Sequence, residues 1–179
     1  TVTDEQILDA FGRNRPDIIL GGPPCQGFSV CTKNSGDPKD PRNSLFEEFI
    51  RIGRLLKPQV MIMENVPNLI KANTGNKELV INIISSELRN LGYEVEHRTL
   101  EATDYGIPQI RKRLFVVAST TRLAMPFPEK THTTMNPPDL LEAHLLKCPT
   151  LWDAISDLPG IDAREGLEEC EYTKPPQNE

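Results

Sequence analysis

The chain has no apolar run long enough to span a bilayer, which argues against a transmembrane helix. Its first residues are polar and acidic, unlike the charged and apolar opening of a secretory signal. No Cys-x-x-Cys pair and no spaced Cys/His set joins its four cysteines, Cys25, Cys31, Cys148 and Cys170, so neither a zinc module nor a paired disulfide framework is indicated. They read as reduced thiols of a cytosolic protein. The three histidines, His97, His132 and His144, are scattered and suggest no metal site. An excess of basic residues is also lacking. The net charge is −6, which argues mildly against a nucleic-acid binder. Its distribution weakens that argument: residues 160–179 hold six acids and two bases, a net of −4, leaving −2 for the first 159 residues. There is no internal repeat.

What remains is ordinary globular material. With 179 residues, 37% hydrophobic and 26% charged, the chain is long enough for one compact domain with a core. Thr3 or Asp4 is placed to cap a short helix carrying Ile7, Leu8 and Phe11, with Gly12 as its stop. Asp17-Ile18-Ile19-Leu20-Gly21-Gly22 reads as a buried parallel strand ending in glycines. Residues 23–44, rich in Pro, Gly, Ser, Asn and charge, form a long loop of the kind that often serves as a lid. Helical periodicity runs from Leu45 to Leu56 and stops before Pro58. Val60-Met61-Ile62-Met63 is a second buried strand, with Glu64 at its end. Residues 76–91 predict an amphipathic helix closed by Gly92, Tyr93 to Leu100 alternates like a strand, and Leu114 to Ala118 is a third apolar strand.

Strand, helix, strand, helix, strand is the order of a doubly wound α/β sheet. Ligands in such sheets bind at the carboxyl ends of the strands. Cys25 and Glu64 both follow such ends and are expected to line one cleft. From about Thr120 the chain is proline-rich and weakly periodic. Thr150 to Leu158 is a candidate short helix ending at Pro159-Gly160, and the last residues read as a frayed polar tail.

Three blocks carry candidate chemistry. Cys25 sits in Gly21-Gly22-Pro23-Pro24-Cys25-Gln26-Gly27-Phe28-Ser29, where prolines stiffen the backbone before the thiol and glycines allow close approach. A rigid cysteine at a strand end is a candidate nucleophile, and a buried structural thiol is the equally weighted alternative. Glu64, after four apolar residues, is expected to be partly desolvated with a raised pKa, which suits a general acid; taken alone, a turn-capping role is the stronger reading. Gln109, Arg111 and Arg113 alternate before the last apolar strand, and with period two all three would point one way, toward an anionic backbone or a base edge. A solvated strand start is the ordinary meaning of such charges.

Together the blocks resemble the DNA (cytosine-5) methyltransferases. Pro24-Cys25-Gln26 is similar to that family's catalytic block, Glu64-Asn65-Val66 to its second, and Gln109-x-Arg111-x-Arg113 to its third, preceded by Asp104-Tyr105-Gly106-Ile107-Pro108. Weaker echoes are Arg42-Asn43-Ser44-Leu45, Pro128-x-x-Thr131-His132 and Asp153-Ala154-Ile155-x-Asp157-Leu158-Pro159. The resemblance implies a Rossmann-like S-adenosylmethionine-dependent methyltransferase fold, in which residues 1–160 form part of the catalytic domain and 161–179 lead toward a target-recognition region. It implies Cys25 as the thiolate that adds to carbon 6 of a flipped cytosine, and Glu64 as the group holding the ring through N3. Arg113 would meet the base oxygen O2, with Arg111 and Gln109 supporting the pocket. Pro23 and Pro24 would lie at the methyl donor, S-adenosylmethionine, while Gln26, Ser29 and Asn65 would join Gln109 at the substrate. Residues 27–44 would close over the base.

The family's glycine-rich Phe-x-Gly-x-Gly turn is not found; Phe11-Gly12-Arg13-Asn14 does not match it. The acidic residues that grip the donor's ribose and adenine would belong upstream, and Asp4 reads better as a helix cap. The target-recognition region and the family's last two blocks are not found either. The expectation is therefore a partial fold, an internal piece of a larger enzyme or one part of a split one, that binds the donor poorly by itself. The implied partners are double-stranded DNA, S-adenosylmethionine and the rest of the same enzyme, with no metal and no membrane. The implied setting is a bacterial cytoplasm, near the nucleoid, in a restriction-modification system. Alternatives are methylation of transfer RNA, a non-catalytic partner that kept the fold, and a thiol hydrolase, for which no histidine stands convincingly near Cys25.

Overall fold

In a computed structural model the protein is described over residues 2–12, 14–24, 45–73, 78–135, 139–159 and 175. These fall into two compact units. One comprises residues 1–100 and 112–128, the other residues 101–111 and 129–179.

The first unit is built on a four-stranded sheet in the order β1-β2-β4-β3, with β1 Ile18–Gly21, β2 Val60–Asn65, β3 Glu94–Glu101 and β4 Lys112–Ser119. The apolar runs become β1 and β2, and they pair in parallel with Ile18 opposite Val60 and Gly21 opposite Met63. β4 runs antiparallel to β2, Val60 facing Ser119 and Asn65 facing Leu114. The sheet is thus α/β but mixed, where the element order alone suggested a doubly wound parallel sheet. Residues 102–111 link β3 to its neighbour β4, and this link is shorter than the crossover a parallel pair requires.

Parity decides which side chains enter the core. Met61 and Met63 of β2 share a face with Leu114, Val116 and Ala118 of β4, and all five are buried. Helices α2 (Leu45–Leu56) and α3 (Val80–Asn90) bring Phe46, Phe49 and Ile50, and Val80, Ile81, Ile84 and Leu88, into the same cluster. Each such side chain contributes about 1.5–3 kcal/mol through burial. α2 also carries Glu47 and Glu48 in its first turn and Arg54 in its last, the arrangement that complements the helix dipole. The other sheet face is more open at its β1 edge, where Leu20 remains 73% exposed.

Several boundaries differ from expectation. α1 spans Asp4–Phe11, and Thr3 rather than Asp4 is its cap: the Thr3 hydroxyl accepts from Gln6 N while the Gln6 side chain accepts from Thr3 N. Asp4 instead pairs with Arg51. Gly12 does end α1, at φ +55°. α3 begins at Val80, not near 76, because Leu79 is extended and bridges to Asn73. β2 continues through Glu64 and Asn65, so Glu64 lies in the ladder rather than beyond it. A 3-10 turn, Pro67–Lys71, follows.

The second unit holds a 3-10 turn at Ala102–Tyr105, a small parallel ribbon of β5 (His132–Thr133) and β6 (Leu146–Lys147), and α4 (Leu151–Ile155). α4 is shorter than the expected Thr150–Leu158 helix; Thr150 is its cap, in a reciprocal box with Asp153. No helix among the described residues is long and apolar enough to cross a membrane.

Candidate active site

The end of β2 organises the site. Because Phe115 sits opposite Glu64, Arg113, two residues earlier on β4, lies on the same face in the diagonal position from which a long side chain reaches across. The Arg113 guanidinium Nε donates to Glu64 Oε1 at 2.9 Å, with side-chain exposures of 27% and 39%. Arg113 Nη1 also donates to the Lys112 carbonyl at 2.8 Å. Glu64 is therefore a partly open carboxylate held by a cation. On the β1 side, a Cβ placed on Gly22 would stand 3.6 Å from Glu64 Oε2, so little separates the β1 terminus from the carboxylate.

Asn65 faces the opposite way and is 4% exposed. Its Nδ2 donates to the Pro23 carbonyl at 2.9 Å, and its Oδ1 accepts from Val66 N at 2.9 Å. Where the family resemblance implies a substrate contact, the side-chain amide is occupied by backbone on both sides. The bond to Pro23 ties the chain that leaves β1 to the end of β2. Cys25 follows Pro23 by two residues. Cys25, Gln26, Ser29 and the expected lid over residues 27–44 lie outside the described residues, as does residues 161–179 apart from Pro175.

The expected row of Gln109, Arg111 and Arg113 does not exist as one strand face. β4 starts at Lys112, and only Arg113 is in the ladder. Gly106 takes φ +82°, Pro108 has no N–H to donate, and Gln109 N donates back to the Ile107 carbonyl at 2.7 Å. The three residues are thus divided, Arg113 in the first unit and Gln109 and Arg111 in the second. Both of the latter are exposed. They belong to a loop whose base is closed by a hydrogen bond from Ala102 N to the Arg111 carbonyl, 3.0 Å.

The second unit also contains a cluster that sequence reasoning missed. Lys130 Nζ lies 3.2 Å from Asp104 Oδ1 and 2.6 Å from Glu142 Oε1. The hydrogen bond to Glu142, followed by the pairing with Asp104, holds the Lys130 ammonium above its ordinary range. Lys130 and then Thr133 hold the Glu142 carboxyl below its own. Asp104 opens the Asp104-Tyr105-Gly106-Ile107-Pro108 motif, but nothing in the local pattern marks Lys130 or Glu142 or the pairing, since the three meet across sequence distance. Among the described residues no group of histidine, cysteine and carboxylate side chains could hold a metal.

The family model for C-5 cytosine-specific DNA methylases matches residues 2–174. The chain belongs to that family. It is 40% identical over 162 residues to the type II methyltransferase M.DdeI of Desulfomicrobium norvegicum, a match that covers 90% of this chain and 37% of the relative. It is 37% identical over 169 residues to M.AquIA of a Picosynechococcus species, covering 89% of this chain and 68% of the relative. Among solved structures, a prophage-encoded DNA modification methyltransferase from E. coli superposes with a TM-score of 0.60 at 28% identity, over 90% of this chain and 41% of the other. The cytosine-5 methylase segment described here therefore spans well under half of M.DdeI and of the prophage enzyme. The mixed sheet and its flanking helices are part of the S-adenosylmethionine-dependent methyltransferase fold.

Proposed function

We propose that the chain is the reaction-centre segment of a DNA (cytosine-5) methyltransferase, which transfers a methyl group from S-adenosylmethionine to carbon 5 of cytosine through a covalent adduct with Cys25. The observation that carries this reading is the convergence at one sheet edge of Glu64 paired with Arg113 and of the Pro23 carbonyl tied to Asn65. Pro23, whose carbonyl is held there, precedes Cys25 by two residues in the sequence.

Carbon 5 of cytosine is a poor nucleophile. Addition of the Cys25 thiolate to carbon 6 makes an enamine, and Glu64 stabilises it by binding N3 and supplying a proton as charge develops there. Arg113 orients Glu64 and contacts O2. Carbon 5 then takes the methyl group, leaving the donor as its thioether; loss of the carbon-5 proton to water expels the thiolate, and N3 returns its proton to Glu64, giving 5-methylcytosine. The sulfonium donor supplies the activated methyl; Pro23, whose carbonyl Asn65 holds, and Pro24 would flank it. Gln26 and Ser29 follow the nucleophile in sequence and are assigned to the base and its backbone. Arg111 and Gln109 are assigned to the anionic strand. The base must leave the helix to be reached. Double-stranded DNA is the proposed partner, and a bacterial restriction-modification setting accords with relatives such as M.DdeI.

The test is methyl transfer by the complete protein to duplex DNA and to transfer RNA. Transfer to duplex DNA that falls about a hundredfold or more in Glu64→Gln, a typical general-acid contribution, supports the reading. Transfer to RNA alone, or a Glu64→Gln protein within about twofold of the parent, contradicts it.

A further inference from the structure

The loop that carries Gln109 and Arg111 is fastened from one side by a single short segment, Lys130 to Thr133. Three contacts do this. Lys130 bridges Asp104, at the start of the loop, to Glu142. Thr131 N donates to the Asp104 carbonyl at 2.9 Å. The His132 ring lies flush on Gly106, so that a Cβ there would meet His132 Cε1 at 2.7 Å, and Thr131 Oγ1 sits 2.9 Å from His132 Nδ1 and sets the ring. The far anchor is itself held, since Glu142 Oε2 accepts from the Thr133 hydroxyl. The Cys148 thiol lies 3.6 Å from the Ile107 carbonyl and 3.5 Å from that of Pro149.

The tip beyond these fastenings is open. Gln109, Ile110 and Arg111 are exposed, Ile110 at 85%. A side chain that must meet a nucleic acid from an exposed loop loses conformational freedom on binding unless the loop is already set. The strap limits that loss at the backbone by holding Asp104 and Gly106, while the Arg111 carbonyl is held by Ala102 N.

We infer that Lys130 is a positioning residue: with His132 it fixes the Ala102–Arg111 loop so that Gln109 and Arg111 are presented to the DNA substrate. This rests on the proposed DNA-methylating function. The rival explanation is that Lys130 acts as one more cation on DNA phosphate, and the two make opposite predictions for its acidic partners. Replacing Glu142 removes a negative charge, which strengthens DNA binding if only net charge matters and weakens it if the strap matters.

The experiment compares Lys130→Met, Lys130→Arg and Glu142→Gln in the complete protein, using steady-state methyl transfer to a duplex oligonucleotide, thermal melting, and limited trypsin cleavage after Arg111. The expected result is a KM for DNA raised about threefold to tenfold in Lys130→Met and in Glu142→Gln, the scale of a partly exposed ion pair and of lost pre-ordering. At saturating DNA kcat should be little changed, Lys130→Arg should regain most of the loss, and cleavage after Arg111 should be faster in both weakened variants. An unchanged or lowered KM in Glu142→Gln overturns the inference, as does unchanged trypsin cleavage in a folded Lys130→Met protein. If the parent protein methylates no DNA, the functional reading fails, whereas the trypsin result still decides whether the strap holds the loop.

Discussion

Asn65→Asp isolates the contact that ties the Pro23 carbonyl, just ahead of the proposed nucleophile, to the end of β2. The substitution keeps size and shape. A carboxylate can still accept from Val66 N, but it has no proton for the Pro23 carbonyl, and it sets an oxygen against that carbonyl at the present 2.9 Å. Asn65 is buried, so the carbonyl loses its donor and a charge enters a poorly solvated place. A buried acceptor left unpaired costs about 1–3 kcal/mol, and the repulsion adds to it. Stability measured by denaturant melting should therefore fall by about 2–3 kcal/mol. The functional loss should be larger than stability explains. Pro23 leads into Pro24-Cys25, and a shift of about 1 Å in a reacting group costs on the order of a hundredfold in rate. Methyl transfer by the folded fraction, assayed well below the melting transition, should drop by about that factor, while Asn65→Ala should behave similarly without the charge. An Asn65→Asp protein with parental melting and activity within about twofold would refute the idea that this amide sets the turn.

Gly21→Ala should destabilise by about 1–3 kcal/mol through overpacking, because the new Cβ would stand 2.6 Å from the rigid Phe49 ring; melting of the variant checks it, and Phe49→Leu in the same protein should recover part of the loss. Gly106→Ala combines a positive φ with the His132 contact, so it should lower stability and raise the KM for DNA together. Tyr93 is buried with its hydroxyl donating to the Pro58 carbonyl at 2.7 Å, and burial pushes its phenol above the ordinary range. Its folded value exceeds its unfolded one, so its contribution is fully present below about pH 10 and declines as pH rises through the raised folded value. The stability advantage of the parent over Tyr93→Phe should therefore shrink above about pH 10, and constancy to higher pH would contradict it.

Much of the first unit was legible from side-chain pattern alone. Unbroken apolar runs such as Ile18–Leu20 and Val60–Met63 do become strands, though the expected burial fails for β1, where Ile18 and Leu20 are exposed; the spacing of Phe46, Phe49, Ile50 and Ile84, Leu88 leaves one helical face for each core. Direction was not legible: Leu114–Ala118 looks the same in either orientation, and only the short link from β3 turns β4 back. The row of Gln109, Arg111 and Arg113 was misread because strand alternation was extended back to Gln109, whereas β4 starts only at Lys112. Glu64 and Arg113 were both picked as candidates, yet their pairing is a consequence of antiparallel register that no local pattern states. Asp104 was legible only as part of its motif, and its pairing with Lys130 and Glu142 left no trace, since ion pairs between distant segments have no period. Cys25, read from its stiff proline context, belongs to the residues that the structure does not describe.

The central claim is the covalent role of Cys25, and adduct formation on duplex DNA containing 5-fluorocytosine tests it most directly. Fluorine at carbon 5 cannot leave as a proton does, so after methyl transfer the thiol should remain bonded to carbon 6. The complete protein with S-adenosylmethionine should give a denaturation-resistant complex, with the DNA mass on the peptide containing Cys25. The complex should be lost in Cys25→Ser and retained when Cys31, Cys148 or Cys170 is replaced. A complex that persists in Cys25→Ser, or that maps to another cysteine, would contradict the account.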